Sequence, residues 1–167
     1  MGLDMYLSAR LYVSEYSGDD LKPAYEKLAK LKLPGLTIPR QYIQNFGSFE
    51  LEVPVMYWRK ANHIHQWFVD NCQDGEDDCR TADVEIEKLR ELAKLCSEVA
   101  ASNTPAFAAE HLPCSQGFFF GGTEYDKWYF DETRDTMQAL DQLLADIDSG
   151  KLKAGYSGWS FQYRSSW

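Results

Sequence analysis

A chain of 167 residues has room for one buried core and too few residues for several, so it reads as a single domain over 1–167. With 14 % aromatic and 26 % charged residues it is not a disordered segment, and the lack of any run of about 18 apolar residues excludes a helical membrane span. The formal net charge of −9 is concentrated in residues 61–148, which hold 6 basic and 19 acidic side chains; this repels phosphate backbones, argues against direct nucleic-acid binding and favours a basic partner surface.

The opening Met1-Gly2-Leu3-Asp4-Met5 lacks the basic and apolar regions of a signal peptide, so a cytoplasmic location is expected. Gly2 is not read as a myristoylation site, because position 6 is Tyr rather than Ser or Thr. Residues 3–13 alternate: Leu3, Met5, Leu7, Ala9, Leu11 and Val13 lie on one side, and Asp4, Tyr6, Ser8, Arg10 and Tyr12 on the other. That is the pattern of a half-buried strand. Asp19 or Asp20 caps a helix expected to run to Lys32, with Leu21, Tyr25, Leu28 and Leu31 on one face. Pro34-Gly35 stops it, residues 34–45 form a connection, and Phe49, Leu51 and Val53 alternate with Glu50 and Glu52 in a second, shorter strand.

Pro54 suits the first turn of a helix. Tyr57, Ala61, Ile64, Phe68 and Cys72 then recur at three- and four-residue spacing as its inner face, with Arg59, Asn62, His63, Gln66 and Asp70 outside. Asp74-Gly75 ends it, and Thr81 is expected to cap a further helix over 82–101 with Val84, Leu89, Leu92, Cys96 and Val99 inward. A short helical turn is expected at 107–110. The segment 117–122 is either a buried strand or a glycine-flanked aromatic loop. A long helix over 125–148 turns Phe130, Met137, Leu140, Leu144 and Ile147 inward, and 155–167 reads as one strand or a bent pair. The expected fold is α+β, a small and mostly antiparallel sheet with three to four helices on one face.

Chemistry is harder to find. Cys72, Cys79, Cys96 and Cys114 are spaced too widely for a zinc ribbon or a CxxC redox motif and read as four free thiols. His63 and His65 are two apart and share no helix face, so HExxH zinc chemistry is absent; His65 reads as structural, His63 as the better functional candidate, and His111 as a surface residue. The stretch Asp74-Gly75-Glu76-Asp77-Asp78 supplies hard oxygen ligands without the EF-hand order and reads as a solvated acidic turn. No GxSxG, P-loop or GxGxxG occurs, and neither a cofactor nor a metal is expected. Gly121-Gly122-Thr123 lets a ligand approach the backbone, the aromatics nearby suit a flat ring, and Arg59 supplies a fork for phosphate or carboxylate. A nucleotide-like ligand would accordingly be held by Arg59, Asn62, His63, Phe119, Thr123 and Tyr125.

The opening Met1-Gly2-Leu3-Asp4-Met5-Tyr6-Leu7 is one of five recognisable pieces. The others are Tyr57-Trp58-Arg59-Lys60-Ala61-Asn62 with Ile64-His65 and Trp67-Phe68, Asp77-Asp78-Cys79, Gly117-Phe118-Phe119-Phe120-Gly121 with Thr123-Glu124-Tyr125-Asp126, and Ser165-Ser166-Trp167. Together they resemble small accessory proteins of tailed bacteriophages and prophages, although 14–50 and 80–112 carry little of the resemblance. It brings no catalytic residue with it. It implies a protein that acts in the cytoplasm of a bacterial host cell and antagonises a defence system, anti-CRISPR fashion, by blocking a defence protein or trapping a signalling nucleotide. The leading expectation is a non-enzymatic inhibitor that docks through Asp74, Glu76, Asp77, Asp78, Glu85, Glu87 and Glu91 on the basic, nucleic-acid-binding surface of a host defence protein such as a CRISPR nuclease. The alternative is a binder that sequesters the nucleotide-like ligand, and a third reading is a hydrolase or metal-dependent enzyme.

Overall fold

β1 (Asp4–Ser14) is the strand around which the sheet assembles, in a computed structural model that describes residues 2–31, 35, 47–155 and 158–167. Its alternation is realised as written: Met5, Leu7, Ala9, Leu11 and Val13 are buried on one face. β1 pairs antiparallel with β2 (Ser48–Arg59) on one side and with β4 (Trp159–Ser166) on the other. β3 (Ala82–Val84) pairs antiparallel with the far side of β4, giving the order β2-β1-β4-β3. Among the described residues five helices accompany the sheet: α1 (Lys22–Leu28), α2 (Asn62–Cys72), α3 (Ile86–Ser102), α4 (Pro105–His111) and α5 (Lys127–Asp148). The fold is α+β, as expected. None of these helices is long and apolar enough to cross a membrane.

The core lies between the odd-numbered face of the sheet and α2, α3 and α5. Met5, Leu7, Phe161 and Tyr163 meet Ile64 and Phe68 of α2, Leu89, Leu92, Cys96 and Val99 of α3, and Phe130, Leu140 and Leu144 of α5. Two aromatic contacts lock the layers. Phe68 stacks on Tyr163 at 4.0 Å between ring centroids, and Trp58 of β2 donates from Nε1 to Thr136 Oγ1 of α5 at 2.8 Å. α1 covers a smaller cluster, Leu11, Val13 and Tyr25, at the opposite end of the sheet. Asp126 caps α5 by accepting from the Tyr129 amide at 3.1 Å, and Asn103 ends α3 in the left-handed conformation.

Several boundaries differ from the sequence expectation, among them that of α1, which spans only Lys22–Leu28 and takes no side-chain cap from Asp19 or Asp20. Pro54 does not open a helix; β2 runs through it to Arg59, and the pairing with β1 skips Val55 between Leu7/Met56 and Ser8/Pro54. A proline has no N–H to donate, and an edge strand with a bulge is where that loss is tolerated. Because α2 therefore starts only at Asn62, Tyr57 moves from the expected inner face to an exposed sheet position, while Asn62 and His63 move inside. In fact Asn62, His63, Ile64 and His65 are all buried, so the first turn of α2 is covered on every side and has no polar outer face. Thr81 does not cap a helix either. Ala82 and Val84 turn inward beside Tyr163 and Phe161 as β3, and α3 begins after Glu85. The segment 117–122 is a turn-rich loop, and α4 is a full helix where a single turn was expected. The expected connection at 34–45 lies outside the described residues apart from Gly35.

Thr136→Val should expose the dependence of the layers on one hydrogen bond. It keeps the side-chain shape but leaves the Trp58 indole N–H buried without a partner, a loss of about 1–3 kcal/mol. Urea unfolding measures it, and an unchanged midpoint would mean that the indole finds another acceptor.

Candidate functional site

The two sequence blocks singled out above meet in space, and Asn62 is where they join. Its Nδ2 donates to the carbonyls of Phe120 at 3.1 Å and Gly122 at 2.7 Å, and its Oδ1 accepts from the Ser115 amide at 3.2 Å. Its carbonyl also accepts from Ser115 Oγ at 3.1 Å. Nearby, Leu3 accepts from the Lys60 amide at 2.8 Å and donates to the Phe119 carbonyl at 3.1 Å, so backbone from three parts of the chain is stitched into one seam. With both amide hydrogens and its oxygen engaged, Asn62 is a clamp and has no polar atom left to offer a ligand.

The other expected ligand residues disperse around that seam. His63 is 1 % exposed, its ring lies 4.2 Å from that of Tyr129, and Thr133 Oγ1 stands 3.2 Å from its Nε2. Since Thr133 gives its own proton to the Tyr129 carbonyl, it can only accept from His63. Nδ1 is then a buried acceptor, with no hydrogen-bond partner among the described residues. Burial pushes this imidazole down from its ordinary value near 6.5 to about 3, so it is neutral at physiological pH. Tyr125 is half-buried against Tyr129, and its hydroxyl accepts from the Cys114 amide at 3.2 Å. Phe119 contributes its carbonyl to the seam and its ring to an edge contact with exposed Phe118, while Thr123 is half-buried in the same loop. Of the six, Arg59 lines an open cleft, and its neighbours there are Tyr57, Lys60, Trp128 and Glu132. Lys60, Trp128 and Glu132 were not among the ligand residues expected from the sequence. The adjacent cation of Arg59-Lys60 and a tryptophan on the outward side of α5 were the available signals.

The acidic loop is a built structure. Arg80 sits among its carboxylates, with Nη1 3.3 Å from Glu76, Nη2 3.5 Å from Asp74 and Nε 3.8 Å from Asp78. The same guanidinium donates to the Gln73 carbonyl, and the Gln73 amide returns a bond to the Arg80 carbonyl at 2.7 Å. Asp77 is turned inward. Its Oδ2 lies 3.0 Å from His65 Nε2, its Oδ1 accepts from Trp167 Nε1 at 3.0 Å, and the Tyr163 hydroxyl lies 2.7 Å from His65 Nδ1. A carboxylate only accepts, so Nε2 donates its N–H to Asp77, and Nδ1 faces the Tyr163 hydroxyl. His65 is thus structural, as the sequence suggested. Asp74, Glu76, Asp78, Glu85, Glu87 and Glu91 are exposed, whereas Asp77 is half-buried. The end of α2 and the start of α3 are neighbours: the Cys72 thiol feels the charges of Lys88, Glu85 and Glu91.

Burial pushes the thiols of Cys72 and Cys114 up to about 11 and that of Cys96 to about 12, so all three stay protonated and weakly nucleophilic near neutrality. Comparison with protein-family models, with curated proteins and with solved structures finds no match to the chain.

Asn62→Ala should cost about 2–4 kcal/mol, because it strands the Phe120 carbonyl and loosens the whole 115–122 loop. Urea denaturation reads the loss, and amide exchange of 115–122 should accelerate with it. His63 gives a pH signature. Its folded-state pKa is depressed, so its contribution is complete above about 6.5 and disappears as pH falls toward about 3, at up to about 1.4 kcal/mol per pH unit. Between pH 7 and pH 4.5 the native chain should lose about 2–3 kcal/mol more stability than His63→Phe, which keeps a ring on Tyr129 and cannot titrate. Equal losses would show that another group carries the acid sensitivity.

Proposed function

We propose that the chain is a non-enzymatic binding protein that docks its acidic surface on a basic, nucleic-acid-binding surface of a bacterial defence effector such as a CRISPR nuclease. The observation that carries this reading is the placement of Arg80. It holds the 74–78 loop in one shape, while Asp74, Glu76 and Asp78 keep most of their surface in water. A loop already ordered loses little conformational entropy when it meets a partner, so its charges are available for recognition at low cost. Glu85, the N-cap of α3, and Glu87 and Glu91 on α3 add exposed carboxylates, with Lys88 and Arg90 between them and Lys88 paired to Glu91 at 2.7 Å. The resemblance to phage accessory proteins supports the choice of partner. Asp77 belongs to the framework of the patch, since its carboxylate joins His65 to Trp167.

The complex should be salt-sensitive, because exposed charges are screened over a Debye length of about 8 Å at physiological ionic strength. The variant Asp74→Asn, Glu76→Gln, Asp78→Asn, Glu85→Gln, Glu87→Gln, Glu91→Gln removes charge without removing shape. It should hold its partner at least about tenfold more weakly than the native chain. Recovery of the tagged protein from bacterial lysate at low salt, followed by native mass spectrometry, identifies the partner. Equal retention by both proteins would overturn the reading. Asp77→Ala should instead lower the unfolding midpoint, which separates framework from surface.

A further inference from the structure

Two cations converge at the end of β2 in a chain whose net charge is −9. Both lie over Gly2: a Cβ placed there would sit 3.4 Å from Lys60 Cε and 3.6 Å from Arg59 Nη2. Lys60 reaches this position at a cost. Its φ is +62°, a left-handed conformation that strains a side-chain-bearing residue. Gly121, at φ +93°, leaves room for the Lys60 stem, since a Cβ there would come within 3.0 Å of Lys60 Cβ. The lysine ammonium has no ion-pair partner among the described residues, and Arg59 has only Asp4, 3.9 Å from its Nε. Asp4 is shared, since it also accepts from the Tyr57 hydroxyl. Two neighbouring cations left this poorly neutralised repel each other, and an anion between them relieves that repulsion.

The surroundings say what kind of anion. The cleft measures about 570 Å³, within the span of small-molecule sites, and Tyr57 and Trp128 stand in its walls with 53 % and 42 % of their surface exposed. These are large flat rings kept in water beside the cations, suited to stack on a planar group. Glu132 supplies a half-buried carboxyl on the same cleft, an acceptor for N–H groups of a ring. Inorganic phosphate would leave the rings unused. A nucleic-acid strand would carry further phosphates toward the acidic remainder of the chain.

We infer that the cleft of Tyr57, Arg59, Lys60, Trp128 and Glu132 binds a nucleoside monophosphate, with the phosphate on Arg59 and Lys60, the base against Trp128 and Tyr57, and base N–H groups donating to Glu132. This site is separate from the acidic docking surface and shares only Arg59 with the ligand set expected from the sequence.

Isothermal titration calorimetry on the full chain at low salt tests it, using the four common nucleoside 5′-monophosphates, adenosine and inorganic phosphate as probes. At least one monophosphate should bind with a Kd below about 1 mM and at least about tenfold more tightly than adenosine or phosphate. Arg59→Ala and Trp128→Ala should each weaken that binding at least about tenfold with the unfolding midpoint unchanged, and Lys94→Ala, at an exposed position of α3, should not. Should Arg59→Ala lose stability through Asp4, Trp128→Ala at an exposed helix position still decides. Failure of all four monophosphates to bind would overturn the inference. So would phosphate binding as tightly as the nucleotides, or binding that survives Trp128→Ala.

Discussion

The amide of Asn62 has no access to water, and that constraint organises the business end of the molecule. A primary amide buried without partners would cost several times the net worth of an ordinary hydrogen bond, so the chain must bring carbonyls and amides to it. The 115–122 loop provides them through Ser115, Phe120 and Gly122. Once that loop is anchored, its Phe119 carbonyl takes the amide of Leu3, whose own carbonyl takes that of Lys60. The first residues of the chain, the end of β2, the start of α2 and the loop before α5 are therefore one mechanical unit. The shape of the Arg59 cleft descends from it, because Lys60 is the residue bent to let β2 pass into Asn62.

The same logic explains why His63, the functional candidate in the sequence, is as buried as the structural His65. Both stand in the first turn of α2, which is enclosed by the loop, the sheet and α5. His65 found a full set of partners in Tyr163 and Asp77, whereas His63 found one in Thr133 and remains neutral because burial disfavours its charge. Asp77 shows a similar division of labour within the acidic loop. One carboxylate is spent inside to hold the loop against α2 and the last residue, and Arg80 shapes the rest from within. A run that reads as a uniform solvated turn is thereby split into framework and surface.

The proposed acidic docking surface and the inferred nucleotide cleft involve different residues and opposite charge. The net of −13 over residues 61–148 makes the pairing of Arg59 and Lys60 the more unusual feature. Long-range repulsion from that charge limits how many negative groups a ligand can bring, which favours a single phosphate over a polymer.

Sequence alone was sufficient for β1, α3 and α5, because period 2 and period 3.6 are written there over many residues and each element buries one face. It was sufficient too for the α+β class. It was insufficient at Pro54 and Thr81, where a local signal for a helix start was overridden by sheet pairing available only across the fold: β2 against β1 and β3 against β4. The meeting of the Tyr57–Asn62 block with the Gly117–Asp126 block could be suspected from sequence. Which atoms meet was a tertiary matter, since the partners of Asn62 lie 53 to 60 residues away. Residue types and periodicity determine what a segment can bury. Only the packed chain decides which polar atoms are left facing water, and it is those atoms, on the acidic loop and in the Arg59 cleft, that are free to bind.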